Sequence, residues 1–117
     1  MLMKTIVFFS LLLMVGSASH ADEAVNKDIA RDFCHAVAAQ ALCETHFTMA
    51  KGTEAALEVE AGGKLRGEGS PLDESCEAGY SAFYDFEAEN GLDAACIETL
   101  GLYGEDGTKR AGLVSSI

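Results

Sequence analysis

Four cysteines, Cys34, Cys43, Cys76 and Cys96, are set in a chain that has no tryptophan and few large apolar side chains. They constrain the fold more than any other feature. A chain of about a hundred residues buries only about two-thirds of its unfolded surface, so a core built on alanine is marginal without cross-links. Two disulfides supply the missing stability wherever the compartment is oxidising.

The N-terminus points to such a compartment. Lys4 precedes the run Ile6–Val15, which is broken only by Ser10, and Ser19 and Ala21 place small side chains at the −3 and −1 positions ahead of Asp22-Glu23. This is the pattern of a secretory signal peptide cleaved after Ala21. The run is too short to cross a hydrocarbon core that takes about 20 helical residues. Residues 1–21 are therefore expected to be removed, leaving a periplasmic or secreted chain with no membrane contact after cleavage. The cleavage region and composition resemble those of bacterial periplasmic proteins.

Charge narrows the partners. The formal charge is −11, and loss of a leader carrying Lys4 and no acid makes it more negative. Between Gly67 and Thr108 there is no Lys or Arg, while Glu68, Asp73, Glu74, Glu77, Asp85, Glu87, Glu89, Asp93, Glu98, Glu105 and Asp106 all fall there. Such a field repels nucleic acid and anionic lipid, and favours a basic envelope or secreted protein as partner.

Apolar periodicity predicts an all-α domain of three or four helices, disulfide-stapled, over residues 22–101. From Val25 to about Met49, Ile29, Phe33, Ala36, Val37, Gln40, Cys43 and Phe47 form a broad stripe at helical period. His35 and His46 fall on the polar side, with Lys27, Asp28, Arg31 and Asp32. Thr53–Ala61 reads as a short surface helix closed by Gly62-Gly63. Gly62–Gly69, with four glycines, reads as a mobile loop. Ser70-Pro71 opens a third helix, which Asn90-Gly91 ends. A fourth begins at Asp93 and ends near Gly101. Residues 102–117 are expected as a Gly- and Ser-rich tail, partly disordered.

Cys34 and Cys43 lie nine residues apart, about 13.5 Å and roughly 180° on one helix, beyond the reach of a disulfide. Cys76 and Cys96 flank the Asn90-Gly91 turn unequally and are disfavoured as a pair. Two connectivities remain. If the third helix runs antiparallel to the first, level-matching selects Cys43–Cys76 and Cys34–Cys96.

No motif assigns catalysis. There is no C-x-x-C and no G-x-S-x-G, and the chain is expected to bind rather than catalyse, without a cofactor. Cys43, His46 and Met49 have a spacing similar to the copper loop of cupredoxins over seven residues, but the surroundings are helical and Cys43 is needed for a disulfide. The expected function is an acidic binding protein of the inhibitor or immunity type. The alternative is a metal-binding protein using His35, His46 and acids such as Asp28 and Asp32. For the binding reading, the candidate face is Asp73, Glu77, Tyr80, Tyr84, Asp85, Glu87 and Glu89: aromatic anchors with a charged rim.

Overall fold

The computed structural model is a small all-α domain with two disulfides. Helix α1 spans Leu2–Leu42, and side chains are described from Asp22 to Ile117; the expected leader, residues 1–21, falls outside these. Helices α2 (Thr53–Ala61), α3 (Asp73–Asn90) and α4 (Leu92–Tyr103) follow, with two short strands, β1 (Phe47–Thr48) and β2 (Ser115–Ser116). Among the described residues no helix is long and apolar enough to cross a membrane.

Helix α1 stops at Leu42, seven residues before the predicted end. Its last turn passes into a tight bend in which Cys43 O accepts the N–H groups of His46 and Phe47. Thr45 and Thr48, both β-branched, are poor helix formers here. Leaving the helix lets Phe47 turn into the core, where it is 1% exposed.

The sense of α3 differs from expectation. Pro71, Glu74, Ser75 and Ala78 lie beside Glu23 and Lys27, at the start of the described part of α1. Gly79 then crosses α1 at Arg31 and His35, and Phe83 reaches the ring of His35. Helix α3 therefore runs in the same sense as α1. Helix α4 runs against them: Asp93 lies by His46, Cys96 bonds Cys43, and Tyr103 reaches Asp32. The segment through α2 and the loop after it is the return limb, which ends beside residues 22–27.

This overturns the nested disulfide pairing. The bridges are Cys34–Cys76 and Cys43–Cys96, with Cα separations of 5.1 and 5.7 Å. Level-matching assumed that α3 starts where α1 ends. Because α2 first carries the chain back, Cys76 arrives level with Cys34, and the return of α4 brings Cys96 to Cys43. All four sulfurs are bonded and none of the four residues is exposed.

Two segments expected to be loose are anchored. In the glycine-rich loop, Leu65 is fully buried, Ser70 Oγ donates to Lys64 O at 2.5 Å, and Gly67 N donates to Asp73 Oδ1 at 2.8 Å. Ser70 also accepts the Leu72 N–H, although α3 proper begins at Asp73. Of residues 102–117, predicted to be a partly disordered tail, Leu102 and Tyr103 belong to α4, and the rest bury Leu113 and Val114 and pair β2 antiparallel with β1, Phe47 opposite Ser116.

The α1–α3 crossing depends on Gly79. A Cβ there would stand 2.9 Å from the His35 backbone N and closer still to Arg31 O. Gly79→Ala should therefore push the helices apart and cost about 1–3 kcal/mol, measured as a lower midpoint in urea unfolding. Closing loops of 42 and 53 residues contributes about 4 kcal/mol per bridge in the chain-entropy model. Reduction should lower the thermal midpoint sharply, and non-reducing peptide mapping should recover Cys34 with Cys76 and Cys43 with Cys96.

Candidate interaction face and buried charge cluster

At about 100° per residue, Asp73 on α3 defines a stripe that Glu77, Tyr80, Tyr84 and Glu87 extend within about 40° on either side. Five of the seven predicted face residues are thus aligned along one side of the helix. Asp85 and Glu89 lie roughly 120° and 160° away and belong to a different side. Tyr84 is 47% exposed, with its ring edge-on to buried Phe83 at 5.7 Å. Tyr80 is half-buried and Phe83 is fully in the core.

The lower half of the stripe borders a groove of about 530 Å³ between α2, the glycine-rich loop and α3. Asp73, Glu77 and Tyr80 line one wall, and Glu54 and Glu58 of α2 line the other. Arg66 closes the groove. Its Nε and Nη2 bond the two carboxylate oxygens of Glu54 at 2.7 and 2.9 Å, and its Nη1 donates to Tyr80 Oη at 3.0 Å. Its guanidinium lies 5.4 Å from the centroid of the Phe33 ring. The bonds from Glu54 and Tyr80 hold Arg66 charged beyond its already high ordinary range. Arg66 is therefore committed to the wall. Glu58 and Glu77 form no ion pair among the described residues, and with Glu54 and Asp73 they outnumber the cations Lys64 and Arg66 in the groove lining. The contribution of α2 was not foreseen, because Glu54 and Glu58 look like ordinary surface acids until the return limb brings them opposite α3.

A second cluster is buried. Asp32, predicted on the polar side of the first helix, is 2% exposed. Its Oδ1 accepts from Tyr103 Oη at 3.0 Å and from Lys109 Nζ, and its Oδ2 accepts from Arg110 Nε at 3.1 Å. Arg110 also faces Glu60 at 4.0 Å. A buried carboxylate needs such partners, because an unpaired one costs several kcal/mol. The sequence held one signal of this arrangement: Lys109-Arg110 is the lone basic pair of the tail, whose other charges are Glu105 and Asp106.

The polar-side assignment of His35 is also overturned. His35 is 6% exposed and packs edge-on against Tyr103 at 5.1 Å and Phe83 at 6.0 Å. The crossing of α3 over α1 covers it. Burial, reinforced by Lys109 and Arg31 and opposed by Asp32, lowers its pKa to about 4. Burial beside Asp32 likewise raises the Tyr103 hydroxyl. His46 lies apart, 3.7 Å from Asp93. Among the described residues no three His, Cys, Asp or Glu side chains gather as a metal site, and the sulfur of Cys43 is committed to Cys96.

Comparison with protein-family models, characterised proteins and solved structures finds no match to this chain.

Asp32→Asn would leave Lys109 and Arg110 without their counter-charge. Their side chains are 43% and 25% exposed, so water compensates them in part. The expected loss is about 2 kcal/mol, below the 3–5 kcal/mol of a fully buried broken pair. Tyr103→Phe should cost about 1 kcal/mol. Urea titration of both variants, with an unchanged slope, checks these values.

Proposed function

We propose that the protein is an exported, non-catalytic binding protein of the inhibitor or immunity type that engages a basic envelope or secreted partner through the α3 stripe and the adjoining groove. The observation that carries this reading is the alignment of Tyr80 and the exposed Tyr84 with Asp73, Glu77 and Glu87 along one side of α3. Aromatic side chains supply anchoring area at small entropic cost, and surrounding carboxylates steer a cation-rich surface into place. Two disulfides suit an oxidising compartment outside the cytoplasm. The metal-binding alternative gains no such support, since His35 is enclosed by aromatic rings and His46 lies beside Asp93 of α4.

Capture from an envelope extract at low ionic strength, followed by binding kinetics on the recovered partner, tests the reading. Affinity should fall as salt rises, because the rim charges are screened over about 8–10 Å. Glu77→Lys with Glu87→Lys should slow association by about tenfold or more, and Tyr84→Ala should speed dissociation. Asp85→Lys with Glu89→Lys, on a different side of the helix, should have a smaller effect. A partner indifferent to salt and to the stripe variants would show that the acidity serves solubility alone.

A further inference from the structure

The turn between α3 and α4 holds the one Asn-Gly pair of the chain, Asn90-Gly91. Asparagine is among the thermally labile side chains, and a glycine after it leaves the next backbone nitrogen unhindered. Both residues are exposed, and nothing lies within 4 Å of the place a Cβ on Gly91 would occupy. Two hydrogen bonds hold the pair to the last turn of α3. Gly91 N donates to Glu87 O at 2.8 Å, and Asn90 Nδ2 donates to Phe86 O at 3.1 Å.

That turn is weakly secured. The C-terminal end of a helix carries the negative pole of its dipole, where cations stabilise and anions do the reverse. Glu87 and Glu89 lie there, with no basic residue in the turn. Neither acid forms an ion pair among the described residues. The disulfides attach at Cys76 and Cys96, so neither clamps the turn itself.

We propose that Asn90 is a site of spontaneous deamidation, gated by fraying of the last turn of α3. Fraying releases Gly91 N from Glu87 O and Asn90 Nδ2 from Phe86 O. The Gly91 nitrogen gives up its proton to water and attacks Asn90 Cγ. The N–Cγ bond forms, the Cγ–Nδ2 bond breaks, and the nitrogen leaves as ammonia, giving a five-membered succinimide. Water then opens the ring at either carbonyl, to aspartate or to isoaspartate. The net change is one water consumed, one ammonia released and one carboxylate gained; nothing is oxidised or reduced.

The product keeps the gate open. A carboxylate at this position cannot donate to Phe86 O, and it adds a further anion to the same helix end. Isoaspartate also inserts an extra carbon into the main chain just before Gly91, whose carbonyl accepts the Ala95 N–H at 3.1 Å as α4 begins. The modified fraction thus records how long the folded chain has existed.

Incubation of the intact, oxidised protein at neutral pH, with peptide mass mapping and isoaspartate detection, tests the proposal. The peptide holding Asn90 should gain one dalton and split into aspartate and isoaspartate forms, while the one holding Asn26 stays unchanged. The reduced, urea-unfolded chain should react on the order of tenfold faster, since two hydrogen bonds no longer hold the pair. Glu89→Lys favours the closed turn and should lower the ratio of folded to unfolded rate about fivefold. An Asn90 that reacts in the unfolded chain but never in the folded protein would overturn the proposal. So would equal rates in the two states, or a ratio that Glu89→Lys leaves unaltered.

Discussion

Two sulfur–sulfur bonds, both made from the α1 segment, hold this domain together. Cys34 fastens α3 to the C-terminal part of α1, and Cys43, just past the helix end, fastens α4. The core they enclose is built from alanines and a few rings, among them Phe33, Phe47, Phe83 and Tyr103. Such a core offers modest transfer free energy for the chain entropy it must offset. Close approach of α1 and α3, permitted by Gly79, places the two helices within bridging distance. The cross-link and the small residue are thus one device: each is useful only where the other brings the backbones together.

Charge is organised on two levels in the same molecule. On the outside, acids line α3 and face those of α2 across a groove, with Arg66 drawn into the wall by Glu54 and Tyr80. On the inside, the sign is reversed: Asp32 is enclosed, and Lys109 and Arg110 reach in from the far end of the chain to compensate it. Three of the few cations in the sequence are therefore spent on structure. Because they pair with two acids, Glu54 and Asp32, the remaining surface is only slightly more negative than composition alone implies.

Much of the helical content was legible because the signals are local. The Gly62-Gly63 stop of α2, the Asn90-Gly91 stop of α3 and the burial of Phe83 follow from capping and period alone. What was not legible depends on chain path. Whether Cys76 meets Cys34 or Cys43 turns on whether the segment after α1 is a return limb, and no local pattern states that. Asp32 and His35 read as surface residues because a helical wheel knows nothing of a second helix crossing the polar side. The candidate face was half legible: period aligns Asp73, Glu77, Tyr80, Tyr84 and Glu87, but the acids opposite them come from a separate element. The tail was misread because Gly and Ser content says little about two buried apolar residues, Leu113 and Val114, and a cation pair aimed at a buried carboxylate.

The interleaving of the two bridges also bears on how the chain is oxidised. The cysteines are synthesised in the order 34, 43, 76, 96, and neither native partner is the next thiol to emerge. A catalyst that joined successive thiols would make the Cys34–Cys43 loop first. Once α1 is wound, about 13.5 Å of helix separates those two positions, so the helix itself withholds the wrong partner. Helix formation ahead of oxidation would then act as a proofreading step, and the first thiol would wait, shielded along α1, until forty-two further residues had followed it.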